Sequence, residues 1–292
     1  MSVALTTPFQ SSGQASDEVV DARLLAHAQA LLAGGCDSVT LFGTTGEGAS
    51  IGQAERGRLL DLFEDAGITG DRLVVGIAAT AAGDAVAQIR AAQAAGSTRV
   101  LLPPPYYFKQ PFEEGVENWY RSVIEQLEGS SVGIILYNIP SQTAVPLSVE
   151  LISRLRKAFG DTIIGVKDSS GDWENTRALL AEHGDFAVLV GDERHLAAAV
   201  RKGAQGSIGG MANLDPESVR RMAIDGEDSP YIVELIELLL KYPLIPAIKG
   251  VLAHQSGEPG WNAVRAPLVT LGAGDLQRLT REFDDLTGQK AA

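Results

Sequence analysis

Two hydrophobic patterns alternate along the chain: short continuous apolar runs, and apolar residues spaced three or four positions apart. Short apolar runs predict eight β-strands, centred near residues 3, 39, 75, 100, 135, 165, 188 and 207. Between consecutive runs, apolar residues recur every three or four positions, which predicts one helix after each strand. The strands follow one another at intervals of roughly 20–35 residues, which is the length of a βα unit.

The predicted boundaries follow from the ends of these runs and from the glycine and proline residues that flank them. The strands are predicted to cover residues 2–6, 37–42, 72–77, 99–102, 132–137, 162–167, 186–190 and 205–208. The helices that alternate with them are predicted at residues 17–33, 53–66, 81–95, 112–128, 148–159, 173–183 and 193–202. Three further helices are expected at residues 230–242, 245–254 and 275–286.

Eight βα units within about 220 residues match a closed (β/α)₈ barrel, an α/β fold of the TIM-barrel type. We therefore predict that residues 1–214 form the barrel and that residues 215–292 form a helical C-terminal extension packed on it. An open, doubly wound sheet is the alternative. That fold favours a glycine-rich dinucleotide turn after its first strand, where this chain has Thr6-Thr7-Pro8-Phe9.

Composition narrows the class of protein. Of the 292 residues, 45% are hydrophobic and 21% are charged, which is ordinary for a soluble protein with a sizeable core. The formal charge of −13 argues against nucleic acid and anionic membranes as partners. No apolar run approaches the roughly 20 residues of a membrane span, and the first residues do not resemble a signal peptide. We expect a cytoplasmic protein.

Cysteine and histidine, two common types of metal ligand, are sparse in this chain. The single cysteine, Cys36, excludes an intrachain disulfide and a cysteine-cluster metal site. The four histidines are scattered along the chain without the spacing of metal ligands. We therefore predict no metal and no other cofactor.

Lys167 ends an apolar strand, Ile163-Ile164-Gly165-Val166-Lys167, and a polar turn follows it at once. Burying an ammonium group without a partner is costly, and desolvation favours the neutral amine, which is a nucleophile towards carbonyl carbons. The preceding strand ends at Tyr137-Asn138. If the two strands are parallel neighbours, Tyr137 and Lys167 lie at the same end of the sheet. The alternative is that the chain has left the core and Lys167 is solvated.

Other strand ends also carry polar or glycine-rich turns. The second strand is followed by Gly43-Thr44-Thr45-Gly46-Glu47-Gly48, whose hydroxyls and backbone N–H groups suit a carboxylate, although a tight capped turn explains the pattern equally well. After the fourth strand, three prolines precede Tyr106-Tyr107 at the barrel mouth, in a loop that could also pack against another subunit. The seventh strand is followed by Gly191-Asp192-Glu193.

Active sites of (β/α)₈ barrels lie at the carboxyl ends of the strands. A lysine, a tyrosine and a pair of hydroxyls converging there suggest imine chemistry. The amine attacks a keto carbon, water leaves, and the protonated imine accepts electrons while a carbon–carbon bond breaks or forms. A tyrosine beside the lysine can relay protons, although a buried tyrosine is more often only part of the core.

Four motifs occur in order with a spacing that resembles the dihydrodipicolinate synthase / N-acetylneuraminate lyase family, a family of class I pyruvate-dependent aldolases. They are Gly43-Thr44-Thr45-Gly46-Glu47, Pro105-Tyr106-Tyr107, Tyr137-Asn138-Ile139-Pro140-Ser141 and Ile164-Gly165-Val166-Lys167. The resemblance extends to Pro246-Ala247-Ile248-Lys249 in the helical tail. It implies a (β/α)₈ barrel, a Schiff-base mechanism on a pyruvate-type 2-keto acid, no metal, and a homotetramer built as a dimer of dimers.

The resemblance also implies roles for single residues. Lys167 would form the imine, Tyr137 would relay protons, and Thr44 would place its hydroxyl between two tyrosines, of which Tyr107 comes from another subunit. Thr45 would bind the carboxylate of the keto acid, and Gly191 and Ile208 would line its pocket. We also predict Gly43, in the same turn as Thr45, and Gln142 as substrate-binding residues.

Gln142 departs from the pattern of the dihydrodipicolinate synthases, which carry an arginine there that holds the carboxylate of the aldehyde substrate. Losing a charge-assisted contact of this kind weakens binding by roughly 1.5–3 kcal/mol. We therefore predict a 2-keto-3-deoxy sugar-acid aldolase that acts on an uncharged polyhydroxy aldehyde. The alternatives are 4-hydroxy-tetrahydrodipicolinate synthase, a 2-keto acid dehydratase or deaminase of the same family, and a non-catalytic keto-acid binder. Retention of Lys167 and Tyr137 argues against the last.

Overall fold

The structure, a computed structural model, describes residues 1–10 and 18–291. Eight parallel strands close into a barrel in which each strand pairs with its neighbours in sequence and β8 returns to β1. The strands are β1 Ser2–Ala4, β2 Ser38–Leu41, β3 Gly70–Gly76, β4 Ser97–Leu102, β5 Gly133–Asn138, β6 Ile163–Asp168, β7 Ala187–Val190 and β8 Gly206–Gly209. The predicted TIM barrel is confirmed.

Twelve α-helices lie among the described residues. They are α1 Asp21–Ala33, α2 Gln53–Asp65, α3 Ala82–Ala94, α4 Glu113–Glu125, α5 Pro140–Thr143, α6 Val149–Phe159, α7 Trp173–Glu182, α8 Leu196–Val200, α9 Pro216–Asp225, α10 Pro230–Leu239, α11 Leu244–Ser256 and α12 Ala273–Ala291. Helices α9 to α12 follow β8 and form the predicted C-terminal extension. The exact division at residue 214 stays a prediction.

Apolar side chains fill two cores, which explains why the strands are apolar on both faces. The larger core lies between the barrel and its helices, where residues such as Leu24, Phe63 and Ile89 are fully buried. The smaller core consists of Ala4, Val74, Leu101, Ile135, Tyr137, Ile139 and Ile208. Because side chains alternate between faces along a strand, these residues fill the inside of the barrel.

The first helix begins later than predicted. Its predicted start, Asp17, lies outside the described residues, and α1 begins at Asp21. Val19 forms an antiparallel bridge with Phe9, and the Val20 N–H donates to the Pro8 carbonyl. This segment is therefore held as an extended pair and cannot also join the helix.

Three other predictions of helices were wrong or incomplete. The helix predicted at residues 193–202 is a 3₁₀ turn, Glu193–His195, followed by the short α8. Helix α5 was missed. Helix α9 lies within the predicted helical extension but was given no bounds of its own, although Asp215-Pro216 begins it and the left-handed Gly226 ends it. No described helix is both long enough and apolar enough to cross a membrane.

Candidate active site

Strands β5 and β6 place Tyr137 and Lys167 directly opposite each other in parallel register. Both side chains are buried at the carboxyl end of the barrel. The Lys167 Nζ donates a hydrogen bond to Tyr137 Oη over 3.1 Å, and Nζ lies 4.2 Å from the centre of the phenol ring. The predicted convergence of the two residues is thus present in the structure.

Thr44 extends this contact into a chain of three side chains. Its Oγ1 lies 3.2 Å from Tyr137 Oη, which is hydrogen-bonding distance. Since the phenol oxygen accepts from Lys167, its own hydrogen is available for Thr44. The three groups therefore form a continuous path along which protons can move between the amine and the Thr44 hydroxyl.

The turn that carries Thr44 requires glycine at two positions, because other backbone segments pack directly against it. A Cβ at Gly48 would lie 1.9 Å from the Phe42 carbonyl oxygen, and a Cβ at Gly46 would lie 2.5 Å from the Leu5 carbonyl oxygen. Only glycine fits at these two positions. The Thr7 hydroxyl donates to the Gly46 carbonyl over 2.7 Å and ties the turn to the chain after β1.

A cavity of about 340 Å³, here called the lysine cavity, lies above Lys167. Of the residues predicted from sequence it is lined by Lys167, Tyr137, Thr44, Thr45, Gln142, Gly191 and Ile208. Gly43, also predicted as a site residue, lines a neighbouring cavity of about 270 Å³ and not the lysine cavity. Thr44, Tyr137 and Gln142 line both and form the wall between the two cavities.

Tyr107 does not join the cluster within this chain. Its side chain is 74% exposed, and its ring packs edge-on against Phe108 at 5.2 Å. Tyr106 is the tyrosine of this loop that reaches a cavity wall, on the side of Gly43. The placement of Tyr107 across a subunit interface stays a prediction.

Glu193 and Arg194 also line the lysine cavity, although neither was predicted as a site residue. Glu193 is buried, and its Oε1 accepts from the Met211 N–H over 2.9 Å. Burial raises the pKa of this carboxyl, and the hydrogen bond from Met211 opposes the rise only in part. Both residues were predicted to lie in a regular helix. The 3₁₀ turn that actually carries Glu193 directs it inward.

Arg194 carries the second basic side chain, besides Lys167, on the described lining of the lysine cavity. Its guanidinium grips Asp192 with two hydrogen bonds, Nε to Oδ1 at 3.0 Å and Nη2 to Oδ2 at 2.6 Å. This contact lowers the pKa of the Asp192 carboxyl, against the opposing effect of burial, which is the larger single contribution. The positive charge of Arg194 is therefore already matched inside the protein.

Asp168 follows Lys167 in sequence but faces away from the cavity. Its Oδ1 accepts from Asn138 Nδ2 over 3.0 Å, and its Oδ2 accepts from the Thr176 hydroxyl over 2.7 Å. Asn138 in turn accepts the Leu147 N–H over 3.0 Å. These bonds join the ends of β5 and β6 to α7 and so fix the strand ends on which Tyr137 and Lys167 stand.

Residues 1–284 match the dihydrodipicolinate synthetase family. The chain is 48% identical to a dihydrodipicolinate synthase of Agrobacterium tumefaciens, whose crystal structure it matches with a TM-score of 0.93 over 98% of both chains. It is 34% identical over 279 residues to the 4-hydroxy-tetrahydrodipicolinate synthase of Porphyromonas gingivalis, covering 92% of this chain and 91% of the relative.

A third relative is an uncharacterised DapA-like lyase of Chloroflexus aurantiacus, which is 31% identical over 290 residues, covering 96% of this chain and 94% of the relative. The similarity runs through the barrel and the C-terminal helices alike.

Proposed function

The chain belongs to the dihydrodipicolinate synthetase family and is a lyase of the class I aldolase type, and we propose that it cleaves 2-keto-3-deoxy sugar acids through an imine on Lys167. The observation that carries the chemistry is the chain of hydrogen-bonding distances from Lys167 Nζ through Tyr137 Oη to Thr44 Oγ1. The observation that carries the substrate class is a neutral Gln142 on the wall of the lysine cavity.

The covalent steps centre on Lys167. The amine attacks the keto carbon of the 2-keto acid, and the carbinolamine loses its hydroxyl as water to leave a protonated imine. The C4 hydroxyl then gives up its proton, C4 leaves as the aldehyde, and the electrons of the broken C3–C4 bond pass into the imine as an enamine. Protonation at C3 and hydrolysis by water release pyruvate and restore the amine.

Tyr137 and Thr44 move the protons that these steps require. The carbinolamine hydroxyl must gain a proton to leave, and the C4 hydroxyl must lose one. Tyr137 Oη lies 3.1 Å from the nitrogen that becomes the imine, so it can exchange protons with groups on the adjacent keto carbon. Thr44 provides the next hydroxyl in the chain. By resemblance, Tyr107 of another subunit would complete it.

The carboxylate of the keto acid is assigned to the turn between β2 and α2. Thr45 offers a hydroxyl in the lysine cavity, and the adjacent backbone N–H groups add uncharged donors of the kind that bind anions. Gly191 and Ile208 shape the opposite wall. Gly191 packs closely against Ser169, since a Cβ there would lie 1.9 Å from Ser169 Oγ.

The rest of the substrate is assigned to the wall near Gln142. A second carboxylate of the substrate would lose its hydration water there. Because the described wall offers no unpaired cation to compensate, binding such a group is unfavourable. Lys109 does not supply that charge, because it is exposed, contacts the Tyr106 carbonyl and lines neither cavity. Hydroxyl groups of an uncharged aldehyde can instead bond to the amide of Gln142 and the hydroxyl of Ser141.

A second candidate function is 4-hydroxy-tetrahydrodipicolinate synthase, which condenses pyruvate with aspartate semialdehyde. The 48% identity to a dihydrodipicolinate synthase favours it. Arg194 also favours it, provided that the guanidinium exchanges Asp192 for the carboxylate of the semialdehyde. The two candidates share the imine and differ only in what occupies the outer part of the cavity.

Steady-state kinetics on a substrate panel decides between them. The panel contains 2-keto-3-deoxy sugar acids, N-acetylneuraminate, and pyruvate with aspartate semialdehyde, and release or consumption of pyruvate is measured. The proposal predicts the highest kcat/KM for a sugar acid. A highest value for the semialdehyde would support the synthase instead. Loss of water or ammonia without release of an aldehyde would identify a dehydratase or deaminase.

A further inference from the structure

A second buried lysine, Lys249, contacts the turn that carries Thr44. Lys249, on α11, has no exposed side-chain surface, and neither has its partner Glu47. The Lys249 Nζ lies 2.5 Å from Glu47 Oε1. These two residues are separated by 202 positions in sequence, so the pair ties the C-terminal helices to the turn between β2 and α2.

The surroundings of the pair fix its geometry. The second carboxylate oxygen of Glu47 accepts from the Arg265 N–H over 2.8 Å. The ring of Phe9 faces both Lys249 Nζ, at 4.5 Å, and the Arg265 guanidinium carbon, at 4.4 Å. Arg265 is itself paired with Glu55 over 2.6 Å. Every charged group around the pair therefore has a counter-charge, and Phe9 closes the remaining side.

Glu47 connects directly to the catalytic turn. Its backbone N–H donates to the Thr44 carbonyl over 3.0 Å, which closes the turn that carries the Thr44 hydroxyl. Glu47 holds a left-handed conformation, with φ of 55°, that is uncommon for a residue with a side chain. The ion pair with Lys249 anchors the side chain of this residue.

Stability alone does not explain such a pair. Two buried opposite charges contribute little net stability compared with apolar residues of the same volume, because both charges must lose their hydration. A pair of this kind does fix a single geometry. Here the geometry that it fixes is that of the Thr44 turn.

We propose that the buried Lys249–Glu47 pair positions Thr44 for proton relay to Tyr137, so that the C-terminal helices control the rate of proton transfer at the imine. The proposal rests on the function proposed above. Neither Lys249 nor Glu47 contacts Lys167 in the structure, and both act through the backbone of the turn. They are positioning residues and are not catalytic.

The test uses a reaction that needs pyruvate alone. An imine with pyruvate loses a methyl proton to form the enamine, and the reverse step in D₂O introduces deuterium, which NMR measures as a rate of exchange. Four proteins are compared: wild type, Lys249→Met, Thr44→Val and the double variant. Lys241→Met is the matched control, since Lys241 forms an exposed ion pair with Glu282 in the same C-terminal region.

If Lys249 acts through Thr44, Lys249→Met slows exchange by about tenfold or more in the wild-type background. In the Thr44→Val background it has an effect smaller than about twofold, because residues that act through one another are not additive. The KM for pyruvate changes less than the rate constant, since Thr45 is retained. Lys241→Met leaves both values unchanged.

Equal slowing by Lys249→Met in both backgrounds would show a general structural effect and would overturn the proposal, as would no slowing at all. If Lys249→Met does not fold, Glu47→Gln takes its place in the same cycle, because it removes the charge and keeps an acceptor for Arg265. If the wild type exchanges no deuterium, both this proposal and the imine function fail. If exchange depends on Lys167 but the cycle is additive, only the positioning role fails.

Discussion

Tyr137 and Lys167 are partners in the register of two adjacent parallel strands, and their reactive atoms lie 3.1 Å apart. The same tyrosine ring also lies beneath the lysine Nζ, at 4.2 Å from the ring centre. The amine is thus held by one residue in two ways. A lysine fixed in this manner presents its nitrogen to the lysine cavity in a single direction, which favours attack on a carbonyl carbon held there.

Lys167→Ala should abolish turnover of keto acids and should prevent covalent trapping by borohydride in the presence of pyruvate. Without the amine no imine can form, and there is nothing for the hydride to reduce. Mass spectrometry of the intact protein measures the adduct. Lys202→Ala is the control, since Lys202 is exposed and lies away from the cavity. An adduct of undiminished yield in Lys167→Ala would place the imine on another lysine.

Tyr137→Phe should lower kcat by roughly 10²-fold, the usual effect of removing a positioned acid–base group. The ring remains to pack under Lys167, so borohydride trapping should still proceed, but more slowly. Stopped-flow or steady-state assays measure the change. Tyr120→Phe is a matched control, because Tyr120 is fully buried and its hydroxyl bonds to the Leu102 carbonyl over 3.2 Å, outside the site.

In Tyr120→Phe the rate should stay at the wild-type value, with stability lower by about 1 kcal/mol from the lost hydrogen bond. Wild-type kcat in Tyr137→Phe would leave Tyr137 with a packing role only.

The strand ends were the part of the site that sequence could predict. Alternation along parallel strands brings Tyr137 and Lys167 to one edge once the order of the strands is known. The positions of Glu193 and Arg194 on the lysine cavity could not be predicted, because both residues lie in a 3₁₀ turn where the sequence predicts an α-helix. The Lys249–Glu47 pair was equally inaccessible, since no local pattern shows which residue of a distant helix meets a turn.

The fold was predictable because repeated βα units show a regular alternation of two hydrophobic periods, which is typical of a barrel. The errors concern the ends of helices and the shortest helices. Helix α1 begins late because residues near Val19 pair with Phe9, which depends on a contact outside the helix. The short α5 was missed because four residues carry no readable period.

Lys249 should make the stability of the protein depend on alkaline pH. Burial lowers its pKa to about 8 from the usual value for a lysine. The folded-state pKa is thus below the unfolded one, and between pH 8 and about 10.5 the unfolded state binds more protons. The contribution of Lys249 to the free energy of unfolding should therefore rise through this window, by about 1.4 kcal/mol for each unit of pKa difference.

Urea unfolding of wild type and Lys249→Met at several pH values isolates this contribution. The free energy of unfolding of the wild type minus that of Lys249→Met should increase from pH 8 to pH 10. Lys241→Met should track the wild type much more closely, because Lys241 is exposed and its contact with Glu282 raises its pKa. A difference between wild type and Lys249→Met that is constant with pH would mean that Lys249 has an ordinary pKa.

Gln142 should decide which aldehyde the enzyme accepts. Gln142→Arg introduces a cation on the wall of the lysine cavity, where the described basic residues are Lys167 and the already paired Arg194. A charge-assisted bond to a carboxylate is worth roughly 1.5–3 kcal/mol, so kcat/KM for aspartate semialdehyde should rise by about ten- to a hundredfold relative to the best sugar acid. Gln142→Glu is the opposite-charge control and should reduce activity with the semialdehyde.

Arg194→Gln tests whether Arg194, and not a residue at position 142, supplies the positive charge that binds the carboxylate of aspartate semialdehyde. If the substrate is an uncharged aldehyde, this variant should keep the preference for sugar acids, because Gln142 and Ser141 still supply its hydrogen bonds. If wild-type activity with the semialdehyde is high and Arg194→Gln removes it, then the guanidinium exchanges Asp192 for the substrate carboxylate. The lysine cavity would then use Arg194 in place of an arginine at position 142, and the enzyme would be a synthase.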